Sequence, residues 1–323
     1  MKDLKKLFKR DKMYWLLMAV LMLILITYNV LNKWEHALDD ELEWAQQHKE
    51  FVTEMWELHP ENREEPWMDL TNGFVVTGFF IESNILILML EILALAFVAQ
   101  AIRLLVQETK NRTEVQSIFP VKERSNLTYY YISGVLLMVI PAVISAAIIL
   151  PRLLYVEHTT DLVFEQKGMI WVYIARTLVL FLVHYSLLIL CRRVTNHIPG
   201  AVFTFGVLEL GLAFGMGYAN IDIGLYALTN ENRLEWGTLI VLALLMIFLS
   251  YLADKKKDRA RNGFYAFPIV HWIMMAIIYV ETCFIFYGAY ENIPKIISRL
   301  IMLLGALIIT AGVHFIVRPK KTL

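Results

Sequence analysis

Apolar runs of about 18 or more residues recur eight times along the chain, near 13–32, 74–104, 128–150, 169–191, 200–219, 236–253, 267–288 and 297–317, and charged or turn-forming segments separate them. Roughly 20 residues at about 1.5 Å per residue cross a hydrocarbon core of about 30 Å, so each run predicts a transmembrane helix. Helices are required there because each unpaired backbone polar group in lipid costs several kcal/mol. The pattern therefore predicts an all-α polytopic membrane protein with a single membrane domain over residues 1–323. The stretch 200–228 is also long enough for a span followed by a re-entrant piece.

Composition agrees with the pattern. With 58% hydrophobic and 19% charged residues and a mean hydropathy of +0.54, the chain is too apolar for an ordinary soluble globule. The formal net charge of zero hides an asymmetry. With the N-terminus in the cytoplasm, the segments 1–12, 103–127, 191–200, 254–263 and 318–323 hold 21 Lys and Arg, against 8 in the four outer segments, and Arg176 falls inside a span. That bias predicts both termini on the cytoplasmic side.

Acidic residues mark the other face. The first outer loop, 33–73, contains 12 Asp and Glu against 3 Lys and Arg, with Trp34, Trp44, Trp56 and Trp67 spread along it. Trp34, Leu38, Leu42, Phe51, Met55 and Leu58 recur at roughly helical spacing and predict an amphipathic external helix. It is either a solvated acidic cap or a gate that attracts cationic cargo. The first apolar run is too long for a typical cleaved signal peptide and is expected to stay attached. Cys191 and Cys283 lack disulfide or metal-ligand spacing and are expected to be inert packing residues.

Catalytic patterns are missing. The chain has no GxxxxGK[ST] phosphate loop, no HExxH and no nucleophile elbow; its eight histidines are scattered, and its basic runs are juxtamembrane rather than interleaved with aromatics. No catalytic residue, metal, bound cofactor or nucleic-acid partner is expected. Two acceptor patterns for glycosylation, at Asn111 and Asn126, sit on the predicted cytoplasmic side.

An ionisable residue at the centre of a span costs about 2.5–3.5 kcal/mol on insertion scales, so each is a functional candidate. Here they are Glu82, Glu91, Arg176, His184, Glu209, His271 and Glu281, with Arg299 near an end. Glu82 and Arg176 lie at similar depth, about 10–12 Å below the outer surface, and are expected either to close an outer gate or to form a structural ion pair. Glu91 and Glu209 fall nearer mid-span, as contacts for a cationic peptide or as protonated groups bonded to neighbouring helices. Gly206, Gly211, Gly215 and Gly217 are expected to serve helix packing first and dimer contact second. The stripe LLMAVLMLILI and the run Tyr129, Tyr130, Tyr131 read as lipid-facing or interfacial residues.

The segment TEVQSIFPVKERSNLTYYYISGVLLMVIP resembles permeases of the type-2 ABC exporter family, in which a threonine-containing cytoplasmic helix precedes a Leu/Phe-Pro-Val/Leu turn, basic residues and a third span that often holds proline. Thr113, Phe119, Pro120, Val121, Lys122 and Pro141 follow that pattern. Glu123 departs from it, standing where a basic residue is common, with Arg124 displaced by one. A second segment, Ser250 to Trp272, is similar to the family's cytoplasmic link through Tyr251, Lys255, Lys256, Lys257, Gly263 and Phe267.

The resemblance implies that Glu108 to Phe119, within a region 105–127, is a coupling helix seated in a groove of a separate nucleotide-binding subunit. Glu108, Lys110, Arg112, Thr113, Glu114, Phe119, Pro120, Val121, Lys122 and Arg124 would contact that subunit, and 254–266 would be a second cytoplasmic link. From the residues alone, the same region also reads as a solvated loop whose basic residues set topology. The family's function would make the chain one permease of an ATP-driven exporter in the bacterial cytoplasmic membrane, paired with a second permease and with cytoplasmic ABC ATPase subunits that carry ATP and Mg. Amphipathic peptides, antibiotics and lipid-like molecules suit the acidic mouth and apolar interior. Competing readings are a non-transporting sensor or anchor in an envelope-stress complex, and an ion-coupled carrier, although no internal repeat is detectable.

Overall fold

Leu-, Ile- and Met-rich runs without charge can satisfy their backbone in lipid only as helices, and helices are what they form. The structure, a computed structural model, describes residues 2–36, 39, 40, 43, 47, 74–76, 78–110, 123–159, 162–164, 169–218, 233–255, 264–289 and 295–317. The helices are α1 (Lys2–Arg10), α2 (Lys12–Tyr28, continued by a π-helical turn Asn29–Trp34), α3 (Gly78–Lys110), α4 (Glu123–Thr159), α5 (Met169–Val194), α6 (Ile198–Tyr218), α7 (Arg233–Lys255), α8 (Pro268–Ala289) and α9 (Lys295–Val317). Among the described residues six stretches, in α2, α4, α5, α7, α8 and α9, are long and apolar enough to cross a membrane, the make-up of a multi-pass membrane protein. The predicted runs 74–104 and 200–219 form α3 and α6; the described part of α6 carries a shorter apolar stretch, Ile198–Leu212.

Among the described residues one pair of strands interrupts the helices. Strands β1 (Phe74–Val76) and β2 (Leu162–Phe164) pair in parallel, with Phe74 opposite Leu162 and Val76 opposite Phe164. They belong to two segments that the charge pattern assigns to the same face. Most of the acidic loop 37–73 and its proposed helix lie outside the described residues.

Two boundaries differ from the hydropathy pattern. The third predicted span, 128–150, is part of a 37-residue helix that contains Pro141 and Pro151. Each proline removes one backbone hydrogen bond. The carbonyls that lose a donor are those of Leu137 and Ala147, four residues before each proline, and Ser145 Oγ separately donates to the Pro141 carbonyl at 2.9 Å. α3 runs unbroken to Lys110, so Glu108 and Lys110 belong to its last turn rather than to the start of a separate helix.

The chain divides into two compact units, Met1–Ala99 with Ile132–Leu178, and Gln100–Tyr131 with Val179–Leu323. In the first, amphipathic α1 buries Leu7 and stacks Phe8 on Trp15 at 5.4 Å, while α2 buries Met18, Met22 and Ile26 and exposes Leu16, Leu17, Val20 and Ile24. In the second, α6 is central: Leu208 packs against a cluster of Tyr265, Met274, Met275, Ile278 and Val317 and also against a cluster of Leu187, Cys191 and Met246. α8 and α9 approach closely because Gly305 leaves room for the Phe286 ring, which a Cβ there would meet at 2.7 Å. The outward residues of α7, α8 and α9, such as Phe248, Ile269, Trp272 and Ile308, suit a lipid surround.

Candidate functional site

Within the second unit, polar side chains gather at one end. α5 ends in Arg192-Arg193-Val194, and a short turn leads into α6. That turn is stitched to the segment before α8: Thr195 and Tyr265 form an antiparallel bridge, Ala266 N–H donates to the Val194 carbonyl at 2.8 Å, and Asn196 N–H donates to the Phe264 carbonyl at 3.1 Å. Thr204 Oγ1 donates to the Tyr265 hydroxyl at 3.4 Å. Burial pushes the Tyr265 phenol above its ordinary value, and that hydrogen bond only partly offsets the rise.

One buried ion pair lies at this end. Arg193 Nη1 lies 3.0 Å from Asp254 Oδ1, with both side chains only 6% exposed, and Arg192 Nη1 donates to the Thr195 carbonyl at 3.2 Å. His271 Nε2 and His314 Nδ1 share a hydrogen bond of 2.9 Å, and the Trp272 ring stacks on His314. No group of three or more metal-ligating side chains exists among the described residues.

Tyr129, Tyr130 and Tyr131 correct the sequence reading. They are buried, not an interfacial belt. The Arg103 guanidinium, on α3, lies 4.5 Å from the centre of the Tyr129 ring and 5.6 Å from that of Tyr130, so the rings shield a buried cation through their electron-rich faces. The Tyr185 hydroxyl donates to the Tyr130 carbonyl at 3.1 Å, Tyr131 OH donates to Ser250 Oγ at 3.4 Å, and Thr128 Oγ1 meets the Tyr251 hydroxyl at 2.9 Å. The two helix ends that bracket residues 111–122 are thereby fastened to each other and to α5 and α7.

Further along the same helices the environment becomes apolar. His184 Nδ1 and Glu209 Oε1 are 2.7 Å apart, joining α5 to α6. Two residues later on α6, Gly211 faces Glu281 of α8, whose Oε1 would lie 2.5 Å from a Cβ at that position. In the first unit, Asn29 Nδ2 donates to Glu91 Oε2, Arg152 lies 3.4 Å from Glu35, and Arg176 is buried.

The six pathway candidates thus separate. His184 and Glu209 meet each other, Glu91 meets Asn29, Glu281 meets the gap at Gly211, and Arg176 is buried in the first unit. The Glu82 side chain lies outside the described set, and with it the proposed Glu82–Arg176 pair. The same holds for the side chains of Glu108, Lys110 and Arg124, and for Arg112, Thr113, Glu114, Phe119, Pro120, Val121 and Lys122 altogether. Sequence reasoning missed Arg103, Asn29, the His271–His314 pair and the Arg193–Asp254 pair. A signal was available for the last: Arg193 and Asp254 close two apolar runs on the same predicted side. No protein-family model matches the chain, and no curated protein or solved structure matches it either.

Proposed function

We propose that this chain is the permease subunit of an ATP-driven exporter: eight spans with both termini in the cytoplasm, working beside a second permease and driven through residues 108–124 by a separate ATPase subunit. The observation that carries the reading is the clamp of Arg103 on Tyr129 and Tyr130. A coupling segment transmits force only if its ends are tied to helices that must move, and here both ends are tied. Thr128, Tyr130 and Tyr131 extend the link to Tyr251, Tyr185 and Ser250. Arg103, Arg193 and Asp254, which lie in or beside the basic segments of the sequence, belong to helix ends joined by these contacts, and that supports placing those segments on one cytoplasmic face.

In this reading ATP binding draws two ATPase subunits together. The coupling segments move with them, and the clamped ends of α3 and α4 carry the displacement into α5 and α7. The ligand biases an equilibrium between inward and outward states. The cargo is an amphipathic peptide, antibiotic or lipid-like molecule leaving the cell, and the cofactors, ATP and Mg, stay on the partner.

The test is isolation of the tagged full-length chain from its native membrane, followed by ATP-driven uptake of a fluorescent cationic amphipathic peptide into inverted vesicles. The expected result is a co-purifying ATPase and accumulation that Arg103→Ala reduces at least tenfold while leaving ATPase association intact. An ATPase without flux would turn the reading toward a sensor, and no ATPase would end it.

A further inference from the structure

α6 and α8 leave the Thr195–Tyr265 bridge side by side and in the same direction. Gly211 lies thirteen residues into α6 and Glu281 thirteen into α8, about 20 Å from their starts, so both reach the same depth. There the helices bound a cleft of about 450 Å³ lined by Leu208, Gly211, Leu212, Ile277, Val280 and Glu281, among other apolar residues. The volume falls in the range of small-molecule sites. All but one of the lining residues are apolar; the exception is a carboxylate.

We infer that this cleft binds a lipophilic monocation, with the ligand's alkyl body along α6 and α8 and its cationic head against Glu281. Glu281 is 8% exposed, and its Oε1 is buried with no hydrogen-bond partner among the described residues. An unpartnered buried carboxylate is costly, and burying a charge is tolerated when an opposite charge meets it. Two other carboxylates of this unit each meet a basic side chain: Glu209 has His184, and Asp254 has Arg193. Gly211 makes the arrangement possible, because its missing side chain leaves the space that Oε1 occupies. A neutral lipid tail would satisfy the apolar wall and leave the carboxylate unmet; an anionic amphiphile would be repelled. Charge complementarity therefore selects a cation, and the wall selects one with an alkyl or similar apolar body. Equilibrium binding here needs no ATPase, so its outcome is separable from that of the export reading.

The experiment uses the full-length chain in phosphatidylcholine nanodiscs, with radiolabelled dodecyltrimethylammonium as probe, empty nanodiscs as background, and dodecanol and dodecyl sulfate as competitors. The expected result is one saturable site per chain. Glu281→Gln weakens it at least tenfold, equal to about 1.4 kcal/mol, while Glu281→Asp, which keeps the charge, stays within that tenfold. Dodecanol and dodecyl sulfate compete at least tenfold more weakly than unlabelled probe. Gly211→Ala leaves the carboxylate in the chain but places a methyl where Oε1 sits, and it too weakens binding; it provides a second route should Glu281→Gln fail to give a monodisperse protein. Binding no greater than to empty nanodiscs, binding unchanged by Glu281→Gln or Gly211→Ala, or equal competition by dodecanol would overturn the site.

Discussion

The two ends of the α6–α8 pair differ in how densely their polar atoms are bonded to one another. At the bridge end, Thr195, Asn196, Thr204 and Tyr265 exchange hydrogen bonds, and beside them Arg193 is paired with Asp254. Thirteen residues along, the same helices face each other across an apolar cleft, where one carboxylate oxygen has no partner among the described residues. Satisfied polar contacts give a fixed arrangement because each lost partner exposes the full desolvation cost of the other. An unsatisfied group gives the reverse: it weakens the resting fold and favours whatever can meet it. One end is built for cohesion, the other for an incoming charge.

The largest test of that contrast removes a partner at the bridge end. Asp254→Ala removes the carboxylate 3.0 Å from the Arg193 guanidinium in a 6% exposed site, and breaking a buried pair in this way costs about 3–5 kcal/mol. Thermal unfolding in detergent should show a large drop, most of it recovered in the double variant Arg193→Leu with Asp254→Ala. At the cleft the sign inverts. Glu281→Leu removes an unpartnered buried oxygen and adds apolar contact, so the same measurement should show a gain of about 1–3 kcal/mol. Loss of stability there comparable to that of Asp254→Ala would erase the distinction between the ends.

Smaller effects sharpen it. Thr128→Val leaves the Tyr251 hydroxyl without its 2.9 Å partner and should cost about 1 kcal/mol. Tyr265 supplies a pH signature. Its folded-state pKa is raised above the ordinary 10.0, so the protonated phenol favours the folded state; that stability is complete below about pH 10 and is lost as pH rises through the folded value. Unfolding scans of the wild type and Tyr265→Phe should therefore diverge only above pH 10, with the variant losing less stability as pH climbs.

Much of the fold could be read along the chain, since hydropathy reports the solvent a helix must sit in. The helices follow the apolar runs, and they overrun them where polar residues such as Glu123 to Asn126 continue the backbone pattern without continuing the apolarity. The site was less legible. Glu209 and Glu281 stand out because charge is expensive in a span, but what each meets does not. His184 is 25 residues from Glu209, and His271 is 43 from His314. Packing, rather than ligand spacing, brings them together. The three tyrosines misled for a similar reason. A tyrosine run beside a basic loop has the composition of an interfacial belt, and only the partner, Arg103 on the preceding helix, turns it inward.

The central claim is that residues 108–124 receive force from a separate ATPase. A photo-crosslinking residue placed at Thr113 or Phe119 of the full-length chain in its native membrane tests this directly. The account predicts an adduct with a soluble polypeptide that hydrolyses ATP, strengthened or weakened by nucleotide and absent when the same residue replaces Glu54 in the acidic loop. Labelling of position 113 or 119 by a membrane-impermeant reagent from outside the cell, or no nucleotide-dependent adduct from either position, would contradict it.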